Sequence, residues 1–85
     1  MVKVMSYLVK QRNSLKELNL NNFNTNNVTD MSHMFLGCSS LKELNLNNFN
    51  TNNVTDMNWM FNGCSNELKM KIKTKYKNIR KEAFY

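Results

Sequence analysis

The chain has 85 residues, enough for one small domain, and 41% hydrophobic content with a mean hydropathy of −0.60 describes an ordinary water-soluble composition. Apolar runs stay as short as Met34-Phe35-Leu36, so no segment is predicted to span a bilayer, and the start, Met1 to Ser6, lacks the continuous apolar stretch of a secretory signal. The net charge of +6 is uneven: Lys3, Lys10 and Arg12 give +3 in residues 1–14, two lysines against four acids give −2 in 15–66, and seven bases against Glu67 and Glu82 give +5 in 67–85.

Internal repetition organises the chain. Residues 15–40, LKELNLNNFNTNNVTDMSHMFLGCSS, and residues 41–66, LKELNLNNFNTNNVTDMNWMFNGCSN, match at 22 of 26 positions. They differ at Ser32/Asn58, His33/Trp59, Leu36/Asn62 and Ser40/Asn66. Residues 1–14 are a worn leading copy, in which Val2, Met5, Ser6 and Ser14 align with Val28, Met31, Ser32 and Ser40. Residues 3–12 are expected to form its helical half and to cap one end.

Each full repeat divides into two halves. Leu15-x-x-Leu18-x-Leu20-x-x-Phe23 predicts a short strand that turns Leu18 and Leu20 inward and leaves Glu17, Asn19 and Asn21 in solvent. Asn24 to Asn27 is turn chemistry, because asparagine side chains bond nearby backbone and tolerate left-handed conformations. Thr29 or Asp30 is a suitable N-cap for a short helix through Phe35, with Gly37 as its stop. At roughly 100° per residue, Met31, Met34, Phe35 and Cys38 share one face of that helix, with Ser32, His33 and Leu36 opposite. Three of the four differing positions therefore fall on the outward face, as burial of the other face requires.

The tail, residues 67–85, has two readings. As a strand, lysines at 69, 71, 73, 75 and 77 alternate with Met70, Ile72, Thr74 and Tyr76. As a helix, Leu68, Ile72, Tyr76, Ile79 and Ala83 form one stripe, capped by Ser65 or Asn66, with Glu67 in the first turn. The helix accounts for residues 67–83 without a breaker. It is preferred as a basic amphipathic cap over the last repeat.

The L-x-x-L-x-L skeleton and the Asn-Val-Thr-Asp-Met…Met-Phe…Gly-Cys string resemble the 26-residue leucine-rich repeats of BspA-like surface proteins, closely over residues 14–66 and faintly over 2–13. The resemblance implies an α/β repeat fold: a short leucine-rich-repeat solenoid with parallel strands on one face, short helices on the other, and a C-terminal capping helix. It also implies a cell-surface or secreted, adhesion-type protein that binds host or matrix proteins. Two alternatives stand beside this reading. The chain could be a truncated remnant of a longer repeat protein without independent function, or its basic tail could bind nucleic acid or an anionic membrane.

Chemistry finds little footing. Cys38 and Cys64 hold the same place in successive repeats and share the inward face with Met31 and Phe35, so they read as buried small hydrophobes rather than a disulfide. His33 is the sole histidine and no C-x-x-C pair exists, so neither metal nor cofactor is expected. Glu17, Asp30, Glu43 and Asp56 are copies fixed by the repeat, and no glycine-rich phosphate loop occurs, so the chain reads as no enzyme. The sequons Asn27-Val28-Thr29 and Asn53-Val54-Thr55 are explained by the turn itself. What remains is binding of a protein ligand. The strand face offers Lys16, Glu17, Asn19 and Asn21 beside Lys42, Glu43, Asn45 and Asn47, and the outward face offers His33 and Trp59. Open ends of the two-repeat stack also suggest self-association.

Overall fold

Hydrogen bonds between residues 25–27 apart set the architecture in a computed structural model of the chain, which describes residues 3–85. Val2, aligned above with Val28, lies outside the described residues. Strand β1 (Glu17–Asn19) pairs in parallel with β2 (Glu43–Asn45), in the register Glu17↔Glu43, Leu18↔Leu44, Asn19↔Asn45. Single parallel bridges join Val4 to Asp30 and Asp30 to Asp56. From there alternate N–H groups cross between segments: Met31, His33, Phe35 and Gly37 donate to the carbonyls of Asp56, Asn58, Met60 and Asn62 at 2.7–3.1 Å. Met5, Tyr7, Val9 and Gln11 donate in the same way to Asp30, Ser32, Met34 and Leu36.

This ladder brings equivalent apolar side chains over one another. Met31, Met34, Phe35 and Cys38 are fully buried, as are Met57, Met60 and Phe61. Phe35 and Phe61 stack at 5.3 Å between ring centroids, and Phe84 continues the row 5.4 Å from Phe61. Asparagine closes the turns between these elements. Asn19, Asn24, Asn45 and Asn50 each accept, through Oδ1, the N–H two residues on, at 2.8–2.9 Å.

The fold class differs from the predicted one. A body of 29 × 21 × 19 Å, with two three-residue strands, one α-helix and one 3-10 turn among the described residues, is too small to be a leucine-rich-repeat solenoid. The short helices expected on the other face, at 31–35, at 57–61 and over 3–12, are turns. The reason is local. A helix needs its N–H groups for carbonyls four residues back, whereas those of Met31, His33, Phe35 and Gly37 are committed to the neighbouring segment. Tyr7, Gln11, His33 and Trp59 also take left-handed backbone, with φ between 54° and 60°, outside the helical region. Asp30 therefore caps a tight turn and no helix: its Oδ1 accepts from the Ser32 N–H at 2.9 Å and the Ser32 hydroxyl at 2.7 Å. Ser32, expected outward, is buried by that contact.

The tail also departs from its prediction. Helix α1 spans Asn66–Lys75, with Ser65 as N-cap accepting from the Leu68 N–H at 3.1 Å, and ends where Tyr76 becomes extended. A 3-10 helix follows at Lys81–Phe84. One helix through residue 83 is ruled out because the chain becomes extended at Tyr76 and turns back, so that the carbonyls of Glu82 and Ala83, within the 3-10 helix, accept from Trp59 and Phe61, both at 2.9 Å. Leu68, Ile72, Tyr76, Ile79 and Ala83 are all buried nevertheless, since helix and return segment face the same core.

Candidate functional site

The register of β1 on β2 puts like residues side by side on the solvent face of the sheet. Glu17 lies next to Glu43 and Asn19 next to Asn45, at the spacing of about 4.8 Å that paired strands impose. Lys16, Glu17, Asn19 and Asn21 are exposed, as are Lys42, Glu43 and Asn47, with Asn45 partly covered. Glu17, Leu18, Asn19, Glu43, Leu44 and Asn45 line an open groove of about 450 Å³, whose rim is completed by Lys75 from the end of α1. Asn19 and Asn45 have a structural duty as well, because each side-chain oxygen is engaged by the turn that follows its strand. Their amide nitrogens are the groups left to reach a partner.

His33 and Trp59 are not part of that face. They form a separate row with Tyr7, each residue 26 positions from the next. Tyr7 stacks on His33 at 4.7 Å with rings 6° from parallel, and Trp59 meets His33 edge-on at 5.2 Å. Lys10 Nζ lies 5.6 Å from the Tyr7 ring centroid, within cation–π range. Nδ1 of His33 is buried without a hydrogen-bond partner among the described residues. Sequence reasoning missed Tyr7, although its place one repeat length before His33 was a signal that could have found it.

Helix α1 supplies residues that sequence reasoning assigned to no site. Lys71 Nζ sits 3.1 Å from Glu43 Oε1, 3.5 Å from Glu67 Oε1, and donates to the Lys42 carbonyl at 3.3 Å. The Glu43 hydrogen bond holds the Lys71 ammonium above its ordinary pKa. Tyr76 reaches back from the end of the helix, and its hydroxyl accepts the Leu46 N–H at 3.0 Å. Between β2 and α1 runs a mostly apolar groove of about 570 Å³, with Leu44, Leu68, Ile72 and Met70 among its walls.

Cys38 and Cys64 are free and buried; their thiols donate to the carbonyls of Val9 at 2.9 Å and Phe35 at 3.3 Å. Burial pushes both thiols up, that of Cys64 to about 12, so neither is a ready nucleophile. No group of three His, Cys, Asp or Glu side chains gathers as a metal site among the described residues. No helix there is long and apolar enough to cross a membrane.

A family model described as "Mycoplasma protein of unknown function, DUF285" matches residues 1–82. No curated protein and no solved structure matches. The chain belongs to the DUF285 family.

Proposed function

We propose that this DUF285 protein is a non-enzymatic binding module, which recruits a protein partner on the polar face of its two-stranded sheet. The observation that supports it is the doubled register, which sets Lys16, Glu17, Asn19 and Asn21, all exposed, beside exposed Lys42, Glu43 and Asn47 and a partly covered Asn45. Charge and amide groups repeated at strand spacing suit an extended segment of another protein, whose own side chains recur every second residue. The resemblance to BspA-like proteins extends the proposal to an adhesion-type role toward host or matrix proteins.

The face can be tested with the whole chain and an array of immobilised matrix proteins. Glu17→Gln combined with Glu43→Gln removes two charges at nearly constant shape, and is expected to weaken binding at least about tenfold while the circular dichroism stays unchanged. Binding that ignores these substitutions, or none at all, overturns the reading. Steeply salt-sensitive binding to duplex DNA or anionic vesicles would support the basic tail instead. The geometry does not favour that alternative: Leu68, Ile72 and Tyr76, the apolar stripe of the tail, are buried against the body. The remnant reading is not favoured either.

A further inference from the structure

The two edges of the small sheet are treated differently. The outer edge of β2 is dressed by side chains of the tail, with Tyr76 Oη on the Leu46 N–H and Lys71 Nζ on the Lys42 carbonyl. The outer edge of β1 has no such cover. Residues 3–11 hydrogen-bond to residues 29–38, and among the described residues none of their bonds goes to β1. N–H and C=O groups point to alternate sides along a strand. Since the Lys16 carbonyl accepts from Lys42 and Glu43 of the neighbouring segment, Glu17 and Asn19 turn both backbone groups away from β2. Apolar surface flanks this bare edge: Leu18 is half-covered where its counterpart Leu44 is buried, and Phe23 is 44% exposed against 8% for Phe49. Leu8 and Val4 are also exposed nearby, beside Phe23 in one shallow groove.

We propose that the β1 edge pairs with the β1 edge of a second copy of this chain, giving a two-fold dimer with one continuous four-stranded sheet. Two observations favour that occupant. The backbone groups that Glu17 and Asn19 leave free on the bare edge are the counterparts of those with which Glu43 and Asn45 hold a Glu-Leu-Asn strand, there in parallel, within the chain, so this edge is built to take such a strand. Of the two edges of the sheet, a second copy offers this one uncovered among the described residues, because its β2 edge is dressed by Tyr76 and Lys71. A two-fold axis makes the new pair antiparallel. Centred on Leu18, it sets Glu17 opposite Asn19 of the other copy, so that each pair exchanges two N–H···O=C bonds and the acids avoid direct opposition. Centring on Glu17 would place two carboxylates face to face, and centring on Asn19 would draw in Asn21, whose N–H the turn has already taken.

Two three-residue strands bury little surface, so a weak dimer is expected, with a dissociation constant on the order of 10–100 µM. Each copy carries +6, so repulsion opposes the dimer, and added salt is expected to tighten it by screening. Sedimentation velocity of the whole chain from about 1 to 500 µM, at low and high salt, reads both effects. Glu17→Pro removes an edge N–H at the first strand position, where proline is tolerated, and is expected to weaken the dimer at least about tenfold with an unchanged melting temperature. Should that variant fold poorly, Leu18→Cys keeps the test open. The axis brings the two Leu18 Cα atoms to about 4.5 Å, within disulfide reach, so mild oxidation should give a covalent dimer, whereas Asn48→Cys should not. A monomer throughout both salt series, a dimer indifferent to Glu17→Pro, or equal cross-linking by both cysteine variants overturns the proposal. A dimer loosened by salt overturns it too.

Discussion

At the scale of single residues, stability is concentrated where the backbone of one segment touches the next. Gly63 has φ of +83°, and a Cβ there would lie 3.0 Å from Gly37 Cα and 3.1 Å from its nitrogen, both backbone atoms that cannot yield. Gly63→Ala therefore meets an unfavourable conformation and a clash at once. It is expected to cost about 1–3 kcal/mol by urea titration. Gly37→Ala, facing the flexible Gln11 side chain at 3.4 Å, shares the conformational strain but should cost less. The thiols give a pH prediction with a definite sign. Folding raises Cys64 from 9.0 to about 12 and also raises Cys38, so above pH 9 the unfolded chain releases protons that the folded chain keeps. Stability is then fully present below about pH 9 and falls as pH rises toward 12. Melting temperatures measured from pH 7 to 11 should decline over the alkaline part, and replacing both cysteines by alanine should flatten that slope.

At the scale of elements, α1 serves as a cover for β2, and its contacts are unequal. Tyr76→Phe strips the acceptor from the buried Leu46 N–H, and a buried donor left unsatisfied costs about 1–3 kcal/mol. Lys71→Met, by contrast, removes exposed ion pairs with Glu43 and Glu67, which are screened by water and should leave stability almost unchanged. Comparing the two urea midpoints checks the ranking. The elements also show what the sequence could disclose. The strand at Glu17–Asn19 was legible because Leu18 and Leu20 alternate with polar residues, and the inward set Met31, Met34, Phe35 and Cys38 was legible because the differing positions avoid it. The helix expected through those residues was not, because a tight turn buries the same spacing. What decides between them is the commitment of alternate N–H groups to a segment 26 residues away, a non-local fact. The break at Tyr76 was hidden for the same reason, since the hydrogen bonds of Trp59 and Phe61 hold residues 82 and 83, in their 3-10 turn, against a segment far away in sequence, where a continued α1 would not bring them. On the candidate face, Lys16 to Asn21 and Lys42 to Asn47 were found from sequence, but Lys71 and Lys75 came to it only through the packing of α1.

At the scale of the whole molecule, one core runs from Met5 to Phe84 without a gap between segments, so neither the sheet nor the tail has a separate interior to fall back on. Unfolding should be a single cooperative step, seen as coincident transitions by circular dichroism and by Trp59 fluorescence; a tail that melts ahead of the rest would contradict the shared core. The near-identity of residues 15–40 and 41–66 has a further consequence for how that core is reached. Met5, Tyr7 and Val9 donate to carbonyls of Asp30, Ser32 and Met34, and chemically equivalent acceptors wait at Asp56, Asn58 and Met60. During refolding the chain can be read out of frame, with the leading strip seated one unit too far along and the intervening 26 residues looped into water. Such a slipped form satisfies its local bonds yet leaves Met31, Phe35 and Leu20 unburied, so only the full apolar tally tells the correct frame from the false one.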